Sequence, residues 1–404
     1  MKNRINIYII TILFLLVATH FNWFNISSRI FSWDFHYVFQ DYLDSFFPFG
    51  MGTWLWAIGF GSYNIQPYMN GIFALWWLIG NYDIALKVSI LLPILGLQAI
   101  GMSLLLKKLF KEDSLNFPIF VSVLYFIFNT YFLYTSFSHL MILFSVSILP
   151  LLLYWYLRLI EEQNNINIIV FGLVYTFSCI YEVRITLINT IILLIVSTFY
   201  HKEFFQFLKN YKKLLLLILL ILWLNFYWIN ALFVWNFNEA ASKVIFRWVF
   251  WDQFTNIFYA ITAYKPYWDV GWNSRDFILF EIPILTFLYI TTLISNAFFQ
   301  RQKKLIILSF VFVALWAFLL KQDADPFSWT YTWLYNNLPG FSIFRESSKF
   351  SIFVILGYSI GFTLFLYNIR SNFPLRTYKW VSALLIFTIL YPALPLFLQK
   401  WTYT

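Results

Sequence analysis

The chain has 404 residues, of which 61% are hydrophobic and 11% are charged, whereas soluble globular proteins carry about 25% charged residues. Together with a mean hydropathy of +0.72, this composition excludes a soluble globular protein. The formal net charge of +9 comes from short basic loops between apolar segments. That distribution is typical of membrane topology and argues against a nucleic-acid-binding patch.

The first apolar segment extends from Ile5 to about Phe24 and follows Lys2 and Arg4. It is long for a signal peptide, and no small-residue cleavage site follows it. We therefore predict a retained membrane anchor with a cytoplasmic N-terminus. The outer segment 25–67 comes next, and we expect short interfacial helices within it. The apolar stretch 68–80 is too short to cross a membrane.

Two kinds of loop connect the later apolar segments. Short loops rich in Lys and Arg, such as residues 107–111 and 301–304, are typical of the cytoplasmic face. The other loops are long, aromatic and mixed in charge, so we expect them to face outward. They comprise residues 25–67, 234–276 and 321–349.

The apolar segments predict one all-α, polytopic integral membrane domain over residues 1–404, with about eleven transmembrane helices of about 20 residues each. An amphipathic helix from His201 to Lys213 is predicted at the cytoplasmic surface. After the first anchor, the predicted spans cover about 84–106, two segments within 117–158, then 166–181, 185–200, 214–233, one segment before Arg301, one before the loop 321–349, then 350–370 and 380–398.

Asp34 is the candidate general base. It follows the first span among aromatic residues, where partial desolvation raises the pKa of a carboxyl group and makes it a better proton acceptor. The alternative is a solvated loop carboxylate, or one paired with Arg29. Asp41 and Asp44 would share a helical face with Asp34, and clustered acids can bind a divalent cation. No spacing here is diagnostic of a metal.

Glu182 and Arg184 occupy a tight turn between two predicted spans. Ionisable groups near membrane depth are unfavourable unless they are paired or functional. Arg184 is therefore a candidate anion ligand. The alternative is that both side chains face water.

The segment 338–350 predicts an external phosphate site. Pro339-Gly340 interrupts the chain, and Arg345 and Lys349, four residues apart, then open a predicted span. In an α-helix both cations would project from one face, beside N–H groups that favour an anion. That anion would be either a lipid phosphate or pyrophosphate, or the neighbouring Glu346 in a purely structural role.

Two sets of positions together resemble the GT-C superfamily of polytopic glycosyltransferases. The nearest likeness is to the membrane part of the arabinofuranosyltransferases of mycobacterial cell walls, and to related archaeal and bacterial membrane proteins. The first set is Asp34, Trp54, Phe60-Gly61, Asn64 and Pro67, and the second is Pro339, Phe341, Phe344-Arg345-Glu346 and Lys349-Phe350.

The resemblance implies an inverting transferase that takes a sugar from a polyprenyl-phosphate donor and passes it to a glycan or glycolipid acceptor at the extracytoplasmic face of the cell membrane. Asp34 would be the catalytic residue. Arg345, Lys349 and Arg184 would bind the donor phosphate, with His36, Asp44, Glu182 and Glu346 as further pocket candidates. No cofactor is implied, although a divalent cation is compatible with the acids.

The chain departs from the family pattern in two ways. His36 stands where the mycobacterial enzymes carry a basic residue, and their large extracellular carbohydrate-binding portions are absent. Two other function classes therefore stay open. One is a transporter of lipids or lipid-linked saccharides, which would carry polar mid-membrane residues and paired repeats. The other is a non-catalytic member of the family that acts in cell-surface glycan assembly.

Overall fold

The computed structural model describes only part of the chain, and this part is largely helical. An antiparallel ribbon joins β1 (Trp54–Leu55) to β2 (Ser62–Tyr63), with Trp54 opposite Tyr63. The ribbon lies within the outer segment 25–67, and the rest of that segment, where we expect interfacial helices, lies outside the described residues. The described residues are 2–19, 54–55, 62–63, 92–111, 115–129, 131–133, 140–181, 183–234, 257–262, 290–292, 294–295, 302–338, 341–344 and 347–393.

Every predicted span for which residues are described contains helix. The α-helices are α1 (Lys2–Thr19), α2 (Leu92–Phe110), α3 (Asn116–Phe128), α4 (Leu140–Glu161), α5 (Asn165–Tyr181), α6 (Val183–Phe199), α7 (His201–Lys209), α8 (Tyr211–Val234), α9 (Ile257–Thr262), α10 (Lys303–Leu320), α11 (Trp329–Asn337), α12 (Ser351–Asn372) and α13 (Leu375–Leu390). Short 3-10 helices cover Phe341–Phe344, Ser347–Phe350 and Tyr391–Ala393, and α2 contains a π-helical stretch, Leu97–Gly101.

Apolar helices make this a membrane-embedded protein. Among the described residues, four helices are long and apolar enough to cross a bilayer, or up to five if the bent pair formed by α6 and α7 is one span. The four are Leu92–Phe110, Ile142–Glu161, Lys303–Leu320 and Ser347–Asn372. The total of about eleven spans stays a prediction.

The chain divides into two compact units. The first contains residues 1–15, 106–134 and 238–404, and α12 is its buried centre, packed against α3 and α10. The Ser309 hydroxyl donates to the Gly357 carbonyl oxygen at 2.7 Å, and the Ser122 and Thr363 hydroxyls are 2.7 Å apart. A Cβ at Gly357 would lie 2.9 Å from the Ser309 carbonyl oxygen, so glycine permits the close approach of α10 and α12.

Both partners of α12 run antiparallel to it. The ring of Tyr125 in α3 contacts Tyr358, while Ser122, earlier in α3, contacts Thr363. Likewise Leu320, the last residue of α10, accepts a hydrogen bond from Ser347, just before α12 begins. We call this end of the unit, where α3 and α10 end and α12 begins, the loop end. The opposite end is the basic end, which carries Lys107, Lys108, Lys111, Lys303, Lys304, Arg370, Arg376 and Lys379.

The second unit contains residues 16–105 and 135–237. In it α5 packs against α4 and α8. Polar side chains join the helices: Asn225 Nδ2 donates to Thr176 Oγ1 at 3.0 Å, and Asn189 Nδ2 donates to Ser178 Oγ at 2.9 Å. Such bonds between apolar helices contribute about 0.6 kcal/mol each in membrane proteins. They therefore fix the orientation of the helices more than they add stability.

Candidate functional site

The structure describes two of the predicted site residues, Arg184 and Lys349. Lys349 belongs to the first unit and Arg184 to the second. The other predicted site residues, Asp34, His36, Asp44, Glu182, Arg345 and Glu346, lie outside the described residues.

Lys349 lies in a 3-10 turn, Ser347–Phe350, that leads directly into α12. We expected this lysine to begin an α-helix, but the first α-helical residue is Ser351. The Ser347 hydroxyl donates to the Leu320 carbonyl oxygen at 2.9 Å. That bond satisfies one of the carbonyl groups left free at the end of α10, so the turn is fastened to α10.

The side chain of Lys349 is fully buried, with 0% of the residue exposed. Burying an ammonium group is unfavourable by several kcal/mol unless oxygen acceptors or an anion surround it. The Lys349 ammonium group therefore requires oxygen or anionic partners, which is compatible with its predicted role as an anion ligand.

Lys321 is a second buried lysine at the loop end, and the sequence did not single it out. Its Nζ donates to the Ala324 carbonyl oxygen at 2.5 Å and lies 4.6 Å from the centre of the Phe318 ring. Burial lowers the pKa of Lys321, and the nearby carboxylates of Asp325 and Asp323 oppose that shift. The Leu320 carbonyl oxygen accepts the hydrogen bond from the Ser347 hydroxyl. Lys321 follows Leu320 directly and Lys349 lies two residues after Ser347, so both lysines are close in sequence to this bond.

Aromatic rings enclose the loop end. The indole of Trp316 stacks on Phe353, with ring centres 3.6 Å apart, and on Phe350 at 5.6 Å. Phe350 in turn stacks on Phe341 at 6.3 Å. These rings exclude water and lower the local dielectric, so charged groups interact more strongly there than in water.

Two buried donors at the loop end have no protein partner. They are the indole Nε1 of Trp316 and the hydroxyl of Ser351, neither of which forms a hydrogen bond within the described structure. Leaving such a group unsatisfied costs about 1–3 kcal/mol. Each of the two groups can donate a hydrogen bond to an anion.

The loop 321–349 contains a helix, α11, that we did not predict. Tyr331 in α11 donates to the Phe344 carbonyl oxygen, and its ring lies 5.3 Å from that of Phe341. Tyr331 and Tyr335, four residues apart, are both buried, and this spacing is the signal that could have revealed the helix. Its outer side exposes Trp329 and Trp333.

Arg184 is half-buried in the first turn of α6. A buried polar cluster joins the following turns of α6 to α5, where the Ser178 and Thr186 hydroxyls are 3.1 Å apart and Asn189 Nδ2 donates to Ser178 Oγ at 2.9 Å. A cation at a helix N-terminus opposes the helix dipole unless an anion lies close by. The position is therefore compatible with the predicted anion-binding role of Arg184.

An apolar cleft of about 600 Å³ opens between α2, α4 and α5 in the second unit. Its walls include Ile100, Phe144 and Leu173, and all of its lining residues are apolar. Gly96 also lines it, and a Cβ added there would meet nothing within 4 Å. A hydrocarbon chain is the ligand that such a lining favours.

Within the described ranges, no group of three or more His, Cys, Asp and Glu side chains is placed to hold a metal ion. The acids on which the predicted divalent cation depends, Asp34 and Asp44, lie outside those ranges.

No protein-family model, curated protein or solved structure matches this chain.

Proposed function

We propose that this protein is an inverting membrane glycosyltransferase that moves a sugar from a polyprenyl-phosphate donor to an acceptor hydroxyl at the extracytoplasmic face. The observation that supports this best is the loop end of the first unit. Lys349, selected from the sequence as a phosphate ligand, is buried at this end, where the Trp316 indole and the Ser351 hydroxyl are buried without a hydrogen-bond partner among the described residues.

The polyprenyl phosphate is the leaving group of the reaction. As the acceptor oxygen bonds to the anomeric carbon, the bond from that carbon to the phosphate oxygen breaks, and its electron pair stays on the departing polyprenyl phosphate. Buried donors that meet this growing charge stabilise the transition state. In this proposal Lys349 and Arg345 provide that stabilisation, and Ser351 and Trp316 contribute further donors to the phosphate pocket.

The acceptor hydroxyl must lose its proton in the same step, and Asp34 is the proposed base. A carboxylate among aromatic side chains has a raised proton affinity. Proton transfer to a positioned base contributes about 10²- to 10⁴-fold in rate. The reaction leaves an inverted glycosidic bond, a protonated Asp34 and free polyprenyl phosphate.

The charge distribution of the first unit supports the proposed orientation. Eight described lysines and arginines of this unit lie at the basic end, whereas the loop end carries two lysines, Lys321 and Lys349, together with Asp323 and Asp325. By the positive-inside rule, the basic end faces the cytoplasm. The loop end is then extracytoplasmic, where a lipid-linked sugar meets its acceptor.

The lipid portion of the donor needs a hydrocarbon-lined path. We propose that the apolar cleft of the second unit, with Gly96 in its wall, receives part of the polyprenyl chain. A volume of about 600 Å³ is in the range of ligand pockets in general.

The test uses the full chain in lipid nanodiscs, supplied with a panel of polyprenyl-phosphate sugars, and measures the release of polyprenyl phosphate. We expect one donor to react and Asp34→Asn to reduce its turnover by about 10²-fold or more. Lys379→Gln, at the basic end, is the matched control and should react normally. An Asp34→Asn variant that retains the wild-type rate would refute the assignment, and donor binding without turnover in the wild type would indicate the non-catalytic alternative.

A further inference from the structure

Helix α7 turns sharply away from the apolar helix that precedes it. The axes of residues Arg184–Phe199 and His201–Lys209 meet at 105°. If α6 crosses the bilayer, α7 therefore lies close to the membrane plane. A straight continuation would instead carry Lys202, Glu203 and Lys209 into the hydrocarbon, where charged side chains are strongly disfavoured.

One side of α7 is fastened to the second unit. Phe207 is buried, with 3% of the residue exposed, and α7 packs against α4 and α8. Just beyond the helix, Asn210 Nδ2 donates to Gln163 Oε1 at 3.2 Å, and the Lys213 ammonium donates to the Gln163 carbonyl oxygen. The orientation of α7 about its own axis is fixed by these contacts.

The outward side of α7 combines an exposed aromatic ring with lysines. Phe205 is 58% exposed, and Lys202 and Lys209 lie three residues before it and four residues after it. Such spacings place all three side chains along one side of a helix. Tyr211, 68% exposed, and the exposed Lys212 follow at the start of α8. We call these five residues the α7 surface.

The charge of the α7 surface is not neutralised within the described protein. Arg158 and Glu162 pair with each other at 2.9 Å, and no described carboxylate pairs with Lys202, Lys209 or Lys212. Glu203, the acid of α7, is two residues from Phe205 and therefore about 200° around the helix from it. The charged residues of the α7 surface are thus all lysines.

We propose that the α7 surface docks on the headgroups of anionic phospholipids, with the phosphates against Lys202, Lys209 and Lys212 and the ring of Phe205 at the boundary of the acyl chains. An in-plane helix inserts its apolar groups at this boundary, while long lysine side chains extend to the phosphates. The positive charge selects anionic over zwitterionic headgroups. This inference is independent of the proposed transferase activity.

The test places the photo-crosslinker p-benzoylphenylalanine at position 205 of the full chain, in vesicles of phosphatidylcholine mixed with phosphatidylglycerol. We expect lipid adducts in which phosphatidylglycerol exceeds its mole fraction several-fold. In the variant Lys202→Gln, Lys209→Gln, Lys212→Gln the enrichment should disappear, whereas the corresponding three Lys→Arg substitutions should keep it.

Arg376→Gln with Lys379→Gln, which removes exposed charge from the basic end of the first unit, is the matched control and should leave the enrichment unchanged. Lipid adducts at the mole fraction of each lipid would overturn the charge selectivity. Adducts to a protein chain, or no adducts at all, would overturn the placement of Phe205 in the bilayer.

Discussion

Lysines occur in two opposite environments in this protein. At the loop end of the first unit, Lys321 and Lys349 are buried among aromatic rings, whereas Lys202, Lys209 and Lys212 on the α7 surface are exposed. A buried ammonium is desolvated and requires specific oxygen partners, while an exposed one keeps its hydration and interacts weakly. The same residue type therefore indicates a specific anion site in one region and a membrane surface in the other.

Replacing a buried lysine should have the largest effect. Lys349→Gln should lower kcat/KM for the lipid-linked donor roughly 10- to 100-fold, because a hydrogen bond to a charged group contributes about 1.5–3 kcal/mol. The readout is the initial rate of polyprenyl phosphate release at several donor concentrations. Lys202→Gln, which replaces an exposed lysine, is the control. Equal losses of kcat/KM in both variants would show that the buried lysine has no special role in the reaction.

The apolar cleft offers a test that involves no charge. Gly96→Leu would fill part of the cleft and displace two or so methylene groups of the bound chain, each worth about 0.8 kcal/mol. We expect a roughly tenfold higher KM for a long-chain donor and little change for a donor with a short lipid. Gly96→Ala adds a Cβ that meets nothing within 4 Å, so it should behave as the wild type. A uniform effect on long and short donors would argue against this role of the cleft.

Removing the Ser351 hydroxyl should weaken donor binding but should not lower the thermal stability of the ligand-free protein. Ser351→Ala removes a buried group that has no hydrogen bond, so thermal stability of the ligand-free protein should stay equal or increase. Donor affinity should fall roughly 3- to 10-fold, since a neutral hydrogen bond contributes about 0.5–1.5 kcal/mol. Melting temperature and donor binding, measured on the same sample, provide the two readouts. Loss of stability without loss of affinity would assign Ser351 a structural role alone.

Replacing an exposed lysine should have the smallest effect on the rate of sugar transfer. Lys209→Gln should leave transfer within about twofold of the wild type, as expected for a surface substitution. Its effect should appear instead in the lipid environment, as a reduced preference for anionic headgroups. A large loss of transfer in zwitterionic nanodiscs, where no anionic lipid is present, would show that the α7 surface serves the reaction directly.

The sequence was informative where a single local pattern decides the structure. A long apolar run predicted the span 350–370, and α12 covers Ser351–Asn372. The amphipathic pattern from His201 to Lys213 likewise predicted a helix, and α7 covers His201–Lys209, while Tyr211 already belongs to α8. A local pattern is sufficient for both because each helix is specified by its own residues: run length for α12 and amphipathic periodicity for α7.

The loop end could not be predicted in the same way. Its organisation depends on the bond between Ser347 and Leu320 and on the stacking of Trp316 against Phe353, which join residues distant in the chain. Lys321 looks like an ordinary charged residue after a span, and its burial follows only from the way the loop folds back. α11 is short and carries polar residues among its aromatics, so its apolar pattern is too brief to stand out.

The hydrogen bond between Ser347 and Leu320 also has an evolutionary consequence. It closes the intervening chain into a loop whose two ends are held together at the helix termini, and the entropy of closing such a loop changes only slowly with its length. Insertions, deletions or exchanges within it can therefore accumulate without separating α10 from α12. The polypeptide excursion that carries α11 can therefore change in length at little entropic cost, so long as the contacts of Tyr331 with Phe341 and Phe344 are kept.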